Sequence, residues 1–280
     1  MTGLGIVIAT CDDGGRLLPT LERLSALPES PRVVVVDNGT SHDLAAAVRA
    51  AGHRPGEVDV VTLTTDHGPA ARTLGARALG TEIVALCDDD SWFVPGALAT
   101  AAERFAGDPG LAVLQARVLV GPDERLDPTC ARVEGAPALL GFVACGAVLR
   151  ACALLEVSGF ARGSGFGGEE QRVALDLAAA GWRLAYDPAL IVHHHPTPSP
   201  RRRRRGRATM GNDLGTWWSR LPWRLAARRT AAAARGHPAA VLAGLPAVAS
   251  ALRDRHPVPP SVVDALRAVE RYELALRRSR

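Results

Sequence analysis

Aromatic residues are scarce in this chain, at 4% of its 280 residues. Its core must therefore be built mainly from Val, Leu, Ile and Ala, a composition that favours helices packed on a buried sheet. The five cysteines, Cys11, Cys87, Cys130, Cys145 and Cys152, form no CxxC pair and follow no regular spacing. Neither a disulfide framework nor a zinc site is therefore indicated, and a reducing cytoplasm fits best. No stretch reaches the roughly 20 apolar residues needed to cross a bilayer. Residues 1–10 lack a basic flank and hold an apolar run of only a few residues, unlike a signal peptide. No internal repeat is visible either.

What remains is a chain with 47% hydrophobic residues, enough for a large core plus an appendage at this length. The net charge of +4 conceals two unlike parts. Residues 1–200 carry 15 arginines against 24 acids, a balance of −9, whereas residues 201–280 carry 18 against 5, a balance of +13. The tail therefore meets different partners from the body.

Hydrophobic periodicity predicts an alternation of strands and helices. GIVIAT (residues 5–10) reads as a strand, Asp12 to Gly15 as a turn, and Leu17, Leu18, Leu21, Leu24 and Leu27 as a helix face. VVVVDN (33–38) is a β-branched run typical of a parallel strand covered on both faces. Helix 42–51, a strand near 58–63, helix 69–79 and the strand EIVALCDDD (82–90) continue the pattern, which implies a doubly wound sheet. Ligands of such sheets bind beyond the strand C-termini, where Thr10, Asp37 and Asp88–Asp90 fall. Residues 111–149 read as less regular strands, followed by helix 150–157, the glycine-rich loop 159–170, helix 170–180 and a returning strand, 184–195. After His195 the composition changes to a proline and arginine linker.

A nucleotide diphosphate leaving group needs a cation or fixed positive charge, and carboxylates must hold the cation. Asp88 and Asp90, two apart at a strand end, either share a face or flank one metal across a turn, with Asp89 directed elsewhere, toward a ribose. Three acids in such a place also simply cap the following helix, 95–106. His193 and His195 face one way by strand alternation and His194 the other, so neutral imidazole is available beside the carboxylates.

Taken together, these stretches resemble glycosyltransferase family 2, the inverting family with the GT-A fold, and within it a rhamnosyltransferase-like member. IVIATCDD resembles the family's opening strand and loop, with Thr10 and Asp12, and Asp37 in VVVVDNGT resembles its base-binding aspartate. Asp88, Asp90, Pro95 and Leu98 resemble its D-x-D motif, and GPAARTLGARAL its donor-side helix, with Arg72 near the base or phosphates. GAVLRACALLEVSGF, GFGGEEQRVALDLAAAGWRLAYDP and VHHH resemble its acceptor-side block. The likeness covers roughly residues 3–196.

The resemblance implies a mixed α/β, mostly parallel sheet flanked by helices, a GT-A domain over 1–198 with a nucleotide-binding half (1–110) and an acceptor half (111–198), and an arginine-rich linker with helices over 199–280. It also implies a nucleotide-sugar donor (UDP- or dTDP-linked), bound by Thr10, Asp12, Asp37, Arg72, Asp88 and Asp89, and a divalent metal, Mn2+ or Mg2+, on Asp88, Asp90 and His194, with His193 next. The acceptor would be a glycan, a lipid-linked sugar or a small natural product. Where the family carries Glu-Asp this chain has Glu169-Glu170, a mild change because a glutamate has a pKa of about 4.3 and one more methylene. Glu170 is the expected general base, Glu169 the second choice, and both acids also suit a helix N-terminus in any case.

Arg201–Arg205, Arg207, Arg224, Arg228 and Arg229 interleave with Trp217, Trp218 and Trp223, which suits the inner face of an anionic membrane better than nucleic acid. The competing expectation is a helical subdomain whose arginines pair with the acidic body, ending in a helix with Val262, Leu266, Val269 and Leu276 in a stripe. Two other functions compete: a non-catalytic sugar-nucleotide or membrane-binding scaffold, and a nucleotidyltransferase. The latter needs a basic glycine-rich loop after the first strand, where this chain has CDDGGR.

Overall fold

The protein was analysed as a computed structural model that describes residues 3–11, 14–162, 165–196 and 205–278, with backbone alone for 205–208. Asp12, Gly163 and Arg201–Arg204 lie outside the described residues, as do the side chains of Arg205 and Arg207.

Strands β1 (Leu4–Thr10), β2 (Arg32–Asn38), β3 (Val58–Leu63) and β4 (Ile83–Cys87) form a parallel unit in the order β3-β2-β1-β4. Next come β8 (Ala147–Arg150), antiparallel to β4, then β6 (Leu111–Val120) and β9 (Arg183–His194), parallel to each other, with β5 (Ser91–Phe93) at the edge. The two-residue β7 (Arg125–Leu126) pairs with β6. This mixed α/β sheet matches the expected class, and the ten-residue β6 shows the expected irregularity as register shifts against β9 between Leu111 and Val113 and between Ala116 and Arg117.

Alternation along the β-branched strands explains the layers. Ile6, Ile8, Val33 and Val35 share one core with Leu17, Leu21 and Leu24 of α1 (Leu17–Ser25) and Leu98 and Phe105 of α4 (Ala97–Gly107). Val7, Val34 and Val36 face the other core, with Ala71 and Ala76 of α3 (Ala70–Leu79) and Val173 and Leu177 of α7 (Glu169–Ala179). Each such valine or leucine contributes about 1.5–3 kcal/mol on burial, so a one-residue slip of register is strongly resisted. Gly75 lets α3 lie close on the sheet: a Cβ there would collide with Val7 and come within 2.9 Å of Val36. Shorter helices α2 (Leu44–Ala50), α5 (Cys130–Val133) and α6 (Ala151–Glu156) fill the remaining connections, α2 starting at Asp43, whose carboxylate accepts from Ala46 N at 2.8 Å.

The C-terminal region forms α8 (Arg205–Arg220), α9 (Trp223–Gly236), α10 (Pro238–Arg253) and α11 (Pro260–Arg278). It builds a third core from Leu221, Leu225, Val258, Val262 and Leu266 that also takes in Leu140 and Leu175 of the body, with Trp217 and Trp218 packed against it. Arg220 is buried between Asp176 of α7 and Asp254, and Arg229 pairs with Glu270 at 2.6 Å. Several tail arginines thus serve internal packing, and among the described residues no helix is long and apolar enough to cross a membrane.

Candidate active site

The parallel register brings the strand ends together. Thr10 pairs with Asp37 and Ile8 with Cys87, so Asp88 leaves β4 level with the last residues of β1. The chain turns here: the strand ends at Cys87, not at position 90, because Ser91 Oγ accepts from Asp88 N at 2.8 Å and closes a turn over the three aspartates. The turn sends the acids in different directions. Asp89 points into the body, accepting from Thr10 Oγ1 and, at 3.1 Å, from Arg16, while its carbonyl accepts from Thr20 Oγ1 at 2.8 Å. Burial pushes its carboxyl up to about 6 against the pull of Thr10 and Arg16.

Asp37 is buried at the end of β2, where its carboxylate accepts from Thr40 N at 2.9 Å. Beside it Asn38 donates to Asp66 and to Gly68 O and accepts from His67 N at 2.7 Å, fastening the loop before α3 to the strand end. Both β2 residues therefore shape the rim of the cleft.

Arg72 joins the two halves of the site. It lies in the first turn of α3 and is buried, donating to Asp88 Oδ1 at 2.9 Å and to Glu169 Oε1 at 3.1 Å. Its guanidinium also stands over Phe166 at 5.2 Å and Phe160 at 5.6 Å. Burial works against its charge, but Asp88, Glu169 and Glu170 outweigh it and raise its pKa. Two carboxylates far apart in sequence are thereby held on one cation.

Glu169 and Glu170 open α7 after Gly168. The other oxygen of Glu169 accepts from Gly167 N at 2.5 Å. Glu170 keeps part of its surface open, yet the protein crowds its carboxyl: burial, then the neighbouring charge of Glu169, push it up to about 8 against the pull of Arg72. A carboxyl poised there can exchange a proton near neutral pH.

The three histidines divide by face. His194 Nε2 lies 3.3 Å from Asp90 Oδ1, and His195 N donates to Asp90 O at 2.8 Å. His193 and His195 turn instead to Trp92, with ring centroids at 5.7 and 4.8 Å, and His193 Nδ1 is 3.6 Å from Glu124. Of the expected metal residues, His194 lies near both Asp88 and Asp90, whereas His193 turns to Trp92 and Glu124. Ligand atoms of Asp88, Cys145 and His194 lie within 4.8 Å of one another. Burial first, and Asp88 next, raise the pKa of the Cys145 thiol well above its usual range. The carboxylates of Asp88 and Asp90 are donors that a Mn2+ or Mg2+ ion accepts, and the His194 imidazole stands beside them.

Sequence reasoning passed over Arg16, Asn38's loop contacts, Phe166 and Asn212. Asn212 of α8 donates to Gly165 O at 2.6 Å and to Gly167 O at 2.9 Å, beside the acidic pair. A cavity of about 220 Å³ between α7, α8 and α10 is bordered by Glu169, Asn212, Thr216 and Ser250.

Comparison with known proteins bears on this cleft. Residues 5–143 match the sequence profile of Glycosyl transferase family 2. The Succinoglycan biosynthesis protein ExoU of Rhizobium meliloti (strain 1021) is 29% identical over 149 residues, which is 51% of this chain and 42% of that protein. The chain thus spans less than half the length of that relative. The mannosyltransferase PcManGT from Pyrobaculum calidifontis, solved with GDP-Man and Mn2+, superposes with a TM-score of 0.63 at 18% identity over 98% of this chain and 81% of its own. GalNAc-T7, solved with UDP, GalNAc and Mn2+, gives 0.62 at 15% identity over 86% and 51%. At such identities the two structures share a fold with this chain.

Proposed function

From the likeness of residues 5–143 to glycosyl transferase family 2, we propose that the chain is a member of that family and moves a sugar from a nucleotide diphosphate sugar to an acceptor hydroxyl with inversion at the anomeric carbon. The observation that carries this reading is the single guanidinium of Arg72 between Asp88 and Glu169, which unites the strand-end carboxylates and the acidic pair in one cleft. An in-line displacement needs both at one anomeric centre.

In this reading Glu170 takes the proton from the acceptor hydroxyl as the new C–O bond forms, and the nucleotide diphosphate leaves with the electron pair of the old one. Arg72 steadies Asp88 and Glu169 and keeps Glu169 from competing as base. Asp88, Asp90 and His194 would hold a divalent cation, which when bound supplies positive charge to the departing diphosphate. Thr10 and Arg16 fix Asp89, and through it the wall beside the donor; Asp37 and Asn38 form the rim toward the base. The pairing of Asp89 with Thr10 supports a positioning part for it beside the ribose rather than a metal-binding one. Asp12 is carried as a donor-side residue by the family resemblance alone.

The test is a screen of UDP-, dTDP- and GDP-sugars for hydrolysis and transfer, with and without Mn2+, on the wild type and Glu170→Gln. A preferred donor, metal dependence and a variant that binds donor but transfers nothing are expected. Donor binding with no turnover in the wild type would favour the non-catalytic scaffold.

Contact with an anionic membrane, and hence a lipid-linked acceptor, has a specific observation in its favour. Helix α10 packs inward through Val241, Gly244 and Ala251, while Leu242 (70% exposed), Leu245 (45%) and Leu252 (42%) line its open side. No acid occurs between Asp213 and Asp254, and Arg235 and Arg253 flank the stripe. A two-fold pairing of this face would oppose like charges, whereas anionic headgroups neutralise them. Sedimentation with vesicles containing anionic lipid should therefore capture the chain, and Leu242→Ser with Leu245→Ser should release it.

A further inference from the structure

We propose that Asn212, on α8 and outside the family-matched stretch, is a positioning residue for the acidic pair; the inference rests on the function proposed above and adds a part for the C-terminal helices in it. The loop that precedes the pair supplies little anchorage of its own. Gly165, Gly167 and Gly168 have no side chains, and Gly167 and Gly168 sit at φ values of 107° and 86°, which glycine reaches without strain and leaves as easily, so the conformation is not fixed by the loop's own sequence.

Helix α8 is that support. The Asn212 side-chain nitrogen donates to Gly165 O at 2.6 Å and to Gly167 O at 2.9 Å. Both partners are carbonyls, so the amide must present its NH2 group, and neither aspartate nor a hydroxyl can reproduce the pair of donors. The contact is close along its length: a Cβ on Gly167 would collide with the Thr209 hydroxyl, and one on Gly168 would come within 3.1 Å of Asp213 Oδ1. From the loop the connection continues, since Gly167 N donates to Glu169, Glu169 accepts from Arg72, and Arg72 donates to Asp88. Asn212 touches none of the reacting groups; it fixes the peptide that fixes Glu169 beside the base.

The experiment uses the full chain and two substitutions, Asn212→Ala and Asn212→Asp. Aspartate keeps the shape and removes the donors, so the two variants separate packing from hydrogen bonding. Both should lower the kcat of transfer about 10- to 100-fold, as expected for two lost hydrogen bonds, with donor affinity within about twofold of wild type. Both should also speed hydrogen exchange at the Gly167 amide while the β1–β4 amides stay protected. Gly167→Ala, which forces the loop off α8 from the other side, should give the same division. Wild-type behaviour of Asn212→Asp, or a parallel loss of donor binding and of β1–β4 protection, would overturn the proposal. If the wild type transfers no sugar, the functional reading fails by itself, and the exchange measurement still decides whether Asn212 orders the loop.

Discussion

The two carboxylate clusters of the cleft are held by different means. Asp88–Asp90 sits on a turn closed by Ser91 and held at each of its acids: Thr10, Arg16 and Thr20 brace Asp89, Arg72 reaches Asp88, and His195 N at the end of β9 donates to Asp90 O. Glu169–Glu170 sits at a helix start whose supports come from elsewhere, Arg72 from α3 and Asn212 from α8. The first is tied at several points, to β1, α1, α3 and the end of β9. The second rests on these few side chains, so its geometry can be tuned, or lost, without disturbing the sheet.

The strongest way to break that contrast is Arg72→Ala, because Arg72 belongs to both clusters. It would leave Asp88 and Glu169 facing each other in a buried site without their cation, a loss on the order of 3–5 kcal/mol in stability. Denaturant unfolding should show it, and transfer should fall by roughly a thousandfold or more. Arg72→Lys should recover only part, since a point charge cannot fork between two carboxylates. Transfer at near wild-type rate in Arg72→Ala would mean that the clusters work independently.

Glu170→Gln addresses the acceptor side alone. Removing a general base costs about 10²–10⁴-fold in rate, whereas donor affinity, which belongs to the strand-end cluster, should change little. A matching fall in donor affinity would show that the two sides are not separable.

The pH dependence sharpens the same point. With Glu170 pushed up to about 8 by burial and by Glu169, transfer should rise with pH until it levels off near that value. Stability should move the other way. Between about pH 4.3, where a glutamate in the unfolded chain ionises, and about 8, the native state keeps a proton that the unfolded state has released. Its contribution is therefore full at the low end and is lost as pH rises through 8. Melting curves over this range should slope downward in the wild type, and the slope should flatten in Glu170→Gln.

The contrast also explains what could be read in advance. The parallel half was legible because Val33–Val36 and GIVIAT are β-branched or apolar runs whose ends carry the polar residues, so strand order and ligand edge follow from local pattern. The turn at Asp88–Asp90 was legible only in part: spacing set Asp89 apart from its two neighbours, but nothing in three identical acids names the distant threonine and arginine that draw it inward. Asn212 and Arg220 were hidden for a related reason: in a tail with 18 arginines, a polar residue reads as surface, and only the fold reveals that Arg220 is buried between Asp176 and Asp254. Likewise Trp217 and Trp218 pack, partly buried, against the third core while Trp223 stays exposed, and the leucine stripe of α10 is an exposed apolar face the pattern did not announce.

The smallest expected effect falls on the donor side, and its smallness is the point. Thr10→Val keeps the shape of the residue at the end of β1 and removes one hydroxyl donor from Asp89, which retains Arg16 and keeps its carbonyl on Thr20. A hydrogen bond to a charged group contributes about 1.5–3 kcal/mol, so unfolding should become easier by roughly that amount. Transfer should drop by less than about tenfold, because the turn has other braces and the base is untouched. If Thr10→Val instead abolished donor binding, the strand-end cluster would be no better supported than the acidic pair, and the glycine loop would lose its claim to be the adjustable part of the site.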